Sequence, residues 1–167
     1  MTINAYIDAA NLHQGTKVLD WEFDYARFRI WLKQKYQVQN AYLFIGLLPS
    51  NSKLYTQLQE FGYILVYKEV LYSNEGMVKG NCDAELVLKT VSDFYEHRFD
   101  RAVLVSSDGD YACLASFLKE RQSIQVIISP HNKSSYLLRK LNCPIVYLKG
   151  LSKQLEKRKS PQEGWLP

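Results

Sequence analysis

The chain has 167 residues, 47% apolar and 13% aromatic, and its 21 Lys and Arg outnumber 17 Asp and Glu for a net charge of +4. A chain of this length hides roughly 70% of its unfolded surface, so one compact domain forms without help from disulfides or a structural metal. No apolar run reaches the ~20 residues that span a bilayer, and the first residues lack the basic-then-apolar order of a secretion signal. Cys82, Cys113 and Cys143 are widely spaced; they read as small packers of a reduced, cytoplasmic protein with no membrane contact.

Short apolar or β-branched runs alternate with segments of helical period, the pattern of an α/β fold with a mainly parallel sheet. Ile3 to Ile7 is the first strand and ends in Asp8. Asp24 caps a helix carrying Phe28, Trp31, Leu32 and Tyr36. Ala41 to Leu47 is a second strand, closed by Pro49-Ser50-Asn51, and Leu54, Leu58 and Phe61 form the next stripe before Gly62. Tyr63 to Tyr67 is a third strand. Glu69 to Lys79 is irregular, and Ser73-Asn74-Glu75-Gly76 reads as a surface turn suited to a substrate flap.

The clearest helix carries Asp83, Leu86, Val87, Thr90, Val91 and Phe94 on one face. Arg101 to Ser106 is a strand, and Ser107-Asp108-Gly109-Asp110 leads into a helix with Tyr111, Leu114, Ala115 and Leu118 on its core stripe. Ile124 to Ile128 is a strand, Leu137, Leu138 and Leu141 mark a short helix, and Ile145 to Leu148 is the last strand. Residues 1–150 thus form the folded domain, and 151–167 a helix to about Lys159 followed by a loose tail.

Ligands of an open parallel sheet collect outside the carboxyl ends of its strands, and Asp8, Asp108 and Asp110 all follow strand ends. Asp83 opens a helix that runs back toward the opposite edge, so it starts at the same edge. Four clustered carboxylates repel one another. A hard divalent cation, Mg²⁺ or Mn²⁺, relieves that repulsion and supplies activated water for phosphodiester hydrolysis. No Gly-x-x-x-x-Gly-Lys-Ser/Thr loop is present, and no Gly-x-Gly-x-x-Gly follows the first strand. Taken singly, Asp8 is a helix cap, Asp83 a first-turn anion and Asp-Gly-Asp a turn; only their common edge points to a site.

Tyr6-Ile7-Asp8-Ala9-Ala10-Asn11-Leu12, Lys79-Gly80-Asn81-Cys82-Asp83-Ala84-Glu85-Leu86 and Val103-Leu104-Val105-Ser106-Ser107-Asp108-Gly109-Asp110-Tyr111 resemble the three successive motifs of NYN domains, in the LabA-like branch of the PIN-like nucleases. The resemblance spans about Asn4 to Leu148. It implies a Rossmann-like, PIN-like three-layer domain and metal-dependent ribonuclease activity, with Asp8, Asp83, Asp108 and Asp110 as metal ligands. Asn11 then orients a carboxylate, a water or a phosphate, and Ser106 supports the acidic turn. Many relatives carry another Asp six residues after the Asp83 position, where this chain has Lys89.

Substrate contacts are expected from Lys79, Ser106, Lys133 and Ser134, the last two in a polar loop after a strand. The expected partner is RNA, whether transfer RNA, messenger RNA or another single strand, and homodimerisation is left open. Lys89 also keeps open a second reading, a nucleic-acid-binding or regulatory module that cleaves nothing. A receiver-type domain phosphorylated on aspartate fits the acidic pocket but explains the Asp83 helix poorly.

Overall fold

All six residues of strand β1 (Ile3–Asp8) are buried, which requires cover on both faces and a neighbour along each edge. In this computed structural model, which describes residues 1–72, 78–79 and 82–158, the chain supplies them in order. After β1 come α1 (Ala9–Lys17), α2 (Tyr25–Tyr36), β2 (Val38–Leu47), α3 (Ser52–Glu60), β3 (Tyr63–Glu69) and a small hairpin of β4 (Leu71–Tyr72) and β5 (Val78–Lys79). Then follow α4 (Asp83–Tyr95), β6 (Arg101–Val105), α5 (Ala112–Glu120), β7 (Ile124–Ser129), α6 (Tyr136–Arg139), β8 (Ile145–Tyr147) and α7 (Ser152–Leu155).

The main sheet has six strands in the order β3-β2-β1-β6-β7-β8, every pairing parallel. Alternate β1 residues face opposite layers. Ile3, Ala5 and Ile7 pack in one core with Leu12 of α1, Phe28 and Leu32 of α2 and Leu155 of α7. Tyr6 packs in the other with Leu86 of α4, Leu114 and Leu118 of α5 and Leu138 of α6. The result is a three-layer α/β fold with a topological switch between β1 and β6, where strand order turns back and a crevice opens at the carboxyl edge.

The expected strands and principal helices are present, with local differences. α1 carries no clear apolar stripe, only Leu12 and the small Ala9 and Gly15 being buried, so periodicity missed it. β2 begins at Val38, ahead of Ala41. In α3 the buried face is Tyr55 and Leu58, with Leu54 exposed; in α6 Leu138 is buried and Leu137 exposed. The terminal helix stops at Leu155 because the chain turns extended to pair Glu156 with Phe23. Cys113 is exposed, whereas Cys82 and Cys143 are buried. Ser73 to Gly76, and Lys159 with the tail after it, lie outside the described residues.

Candidate functional site

The site grows out of three backbone turns. Asp8 closes β1 and caps α1, its Oδ1 accepting from the Asn11 amide at 3.0 Å. At the end of β6 the chain leaves the sheet through Ser106 and Ser107 into a 3₁₀ turn over Gly109–Tyr111. Asp108 caps that turn, accepting from the Asp110 amide at 3.0 Å, while its own amide donates to the fully buried Ser106 Oγ at 3.1 Å. Asp83 sits in the first turn of α4. At Asp8 and Asp108 the cap role and the site role therefore fall on the same side chain, since a cap residue at a parallel strand's end faces the ligand edge.

One carboxylate oxygen from each of Asp83, Asp108 and Asp110 lies within 4.8 Å of the other two. Asp83 and Asp108 are half-buried and Asp110 is exposed. Asp8 stands outside this trio but is joined to it through Tyr111, whose hydroxyl donates to Asp83 Oδ1 at 2.6 Å and lies 3.2 Å from Asp8 Oδ2. The single phenolic proton serves one carboxylate at a time. Burial, reinforced by the charges of Asp83 and Asp108, raises the Asp8 pKa; the Asn11 amide and the Tyr111 hydroxyl oppose the shift. Tyr111, itself buried and facing Asp8 and Asp83, is held neutral.

In the sequence Tyr111 lies on an apolar stripe, which conceals the role of its hydroxyl. A tyrosine rather than a phenylalanine on a buried stripe, one turn from Asp108, was the available signal, because a buried hydroxyl needs a partner.

Asn11 spans the crevice. Its amide N–H reaches Asp8 while its Oδ1 accepts from the Ser107 amide at 2.9 Å, tying the β1 half of the sheet to the β6 half. Ser107 Oγ accepts from Ser129 Oγ and from the His131 amide, both at 3.1 Å, and Ser107 O accepts from the Ser135 amide. These bonds hold the loop after β7 beside Asp108. Gly15 closes the floor: a Cβ there would lie 2.5 Å from Pro130 Cβ and 2.6 Å from its carbonyl carbon, so α1 approaches that loop backbone to backbone.

Of the expected substrate contacts, Lys133 is exposed and lines a cleft of about 480 Å³ with Asn11, Ser107, Asp108 and His131. Ser134 is buried, its Oγ 3.3 Å from Tyr147 Oη, and Ser106 lies beneath Asp108, so neither hydroxyl is brought to the cleft. Lys79 is placed in β5 by its backbone, while Gly80 and Asn81 of the same segment lie outside the described residues. Lys89 is turned along α4 to the buried Asp93, its Nζ 2.6 and 2.8 Å from the two carboxylate oxygens and 4.6 Å from the Tyr42 ring centre. It therefore neither adds a ligand to the acidic edge nor neutralises it.

A parallel α/β sheet with acids gathered at its switch crevice defines a class of ligand-binding α/β proteins. The chain belongs to the NYN domain family, whose model matches residues 2–146, and the fold fits the PIN-like nucleases. The backbone is also similar to the crystal structure of a Vibrio parahaemolyticus protein of unknown function, with 22% identity and a TM-score of 0.72 over 88% of this chain and 92% of that one. At that identity the likeness concerns the fold. Among curated proteins, no sequence matches this chain significantly.

Proposed function

We propose that this protein is a metal-dependent ribonuclease of the LabA-like branch, hydrolysing phosphodiester bonds of RNA in the cytoplasm, where its free cysteines stay reduced. The observation that carries the reading is the convergence of Asp83, Asp108 and Asp110 within 4.8 Å. The donor set fits Mg²⁺ or Mn²⁺, since every candidate ligand is a hard carboxylate oxygen. Among the described residues, no Lys or Arg forms an ion pair with Asp8, Asp108 or Asp110, so their charge is left to an outside cation. Asp83, Asp108 and Asp110 would hold the ion, with Asp8 beside them. When bound, such an ion neutralises developing phosphoryl charge and lowers the pKa of a water nucleophile.

The chain's own groups do the positioning. Asn11 fixes the distance between the two halves of the crevice, and Tyr111 sets the facing oxygens of Asp8 and Asp83. Lys133, at the open side of Asp108, is placed to hold a neighbouring phosphate as a point charge.

The test is incubation of the purified protein with single-stranded and structured RNA, in Mn²⁺, in Mg²⁺ and with chelator, beside Asp108→Asn. The expected result is cleavage that the chelator and the substitution both abolish. Cleavage that survives both overturns the mechanism, and RNA binding without turnover under every condition replaces the enzyme with a binding module.

A further inference from the structure

A second cleft adjoins the acidic cluster, with walls distinct from those of the cleft that Lys133 lines. It is a chamber of about 820 Å³ between α1, the end of β2 and α3, within the ~300–1,000 Å³ range of pockets that enclose small ligands. Asn11 and Asp108 line both clefts, and Asp8 and Asp83 also line this one. Its walls differ from those of the Lys133 cleft. Phe44, Ile45, Leu48, Leu54 and Val70 make them largely apolar, and among the described residues no Lys or Arg lines the chamber. At Gly46 an added Cβ would come within 2.9 Å of Val70 Cγ2, so the absent side chain keeps that wall flat. Gln14 and Asn51 add side-chain amides with no hydrogen-bond partner among the described residues.

We propose that this chamber takes one unpaired nucleobase of the substrate strand, next to the phosphate at the acidic cluster; the position of that phosphate rests on the nuclease reading. A polynucleotide alternates charged phosphates with flat, uncharged rings, and the two clefts divide along the same line. Among the described residues the chamber offers a phosphate no Lys or Arg. A base presents apolar faces to Ile45 and Leu54 and a polar edge to the Gln14 and Asn51 amides. A base in a duplex keeps both faces stacked and its edge paired, so the chamber selects strands that can release a base.

The test uses a short single-stranded oligoribonucleotide carrying 2-aminopurine or an abasic site at each position in turn, with the wild-type protein and Leu54→Glu. Leu54 is 41% exposed, so a polar group there leaves the core intact. The expected result is a fluorescence change confined to one position beside the cleaved bond, and about a tenfold lower kcat/KM when that position is abasic, the scale of one lost stacking contact. Leu54→Glu lowers cleavage of intact RNA by a similar factor and leaves the abasic substrate unaffected. Equal losses on both substrates, or no dependence on position, overturn the chamber while the nuclease reading stands. If nothing is cleaved in Mn²⁺, the nuclease reading falls and fluorescence alone decides: a position-specific, Leu54-dependent change supports the chamber, and a uniform signal overturns it.

Discussion

Asp108→Asn, followed by thermal unfolding with and without Mn²⁺, exposes the electrostatics of the site. Charges at the 4.8 Å limit of this trio repel by about 3.5 kcal/mol at an effective dielectric of ~20 and by about 1 kcal/mol in water, and closer ones by more. Asp83 and Asp108 are half-buried and Asp110 exposed, so each pair falls between those limits. Asp108 takes part in two of the pairs, and Asn keeps the oxygen that caps the Asp110 amide. The metal-free variant is therefore expected to equal or exceed the wild type in Tm. Mn²⁺ at a hundredfold excess over Kd stabilises the wild type by about 2.7 kcal/mol, or roughly 5–10 °C for a chain of this size. A variant binding a hundredfold more weakly gains about 0.4 kcal/mol at the same concentration, a shift of about 1–2 °C. Equal Mn²⁺ shifts in the two proteins, or a metal-free variant less stable by several degrees, would refute the reasoning.

The other expectations concern the frame. Gly15→Ala drives a Cβ into the Pro130 backbone and should cost about 1–3 kcal/mol in denaturant unfolding; an unchanged midpoint would mean that α1 moves without resistance. Lys89→Met strands the buried Asp93 with Tyr6 and the more distant Arg98 and should cost about 3 kcal/mol while leaving the Mn²⁺ shift intact, because Lys89 is outside the acidic edge. Asp8→Asn retains a cap acceptor and removes a carboxylate whose folded pKa is raised. A raised carboxylate pKa means that stability is lost as pH climbs from the ordinary value of 3.8 through the folded one. The variant should thus be the more stable at neutral pH, with the gap closing in acid below 3.8; a gap independent of pH would disprove the burial penalty.

What the sequence revealed and what it hid have separate physical causes. Asp8 and Asp108 were legible because a parallel strand's end fixes its edge, and Asp83 because the long stripe of α4 fixed that helix's start and direction. Asp110 joins Asp83 and Asp108 within 4.8 Å while Asp8 stands one hydroxyl away, a distinction that no strand assignment resolves. The orientation of Lys89 depends on Asp93 four residues on, a pairing visible in the sequence but competing there with the acidic edge. Ser134 looked like a ligand-facing hydroxyl because its loop is polar, yet Tyr147, from the next strand, takes its side chain inward. α1 escaped because a helix packed through Gly15 against backbone needs no apolar stripe.

The contact between Gly15 and Pro130 bears on kinetics as well as shape. With α1 packed against the Pro130 backbone at the crevice floor and Asn11 bridging its walls, relative movement of the two halves of the sheet is resisted at both places. Encounter with the proposed nucleic-acid substrate would then wait on diffusion and on the mild positive field of the whole chain, so added salt should slow association more than it speeds release.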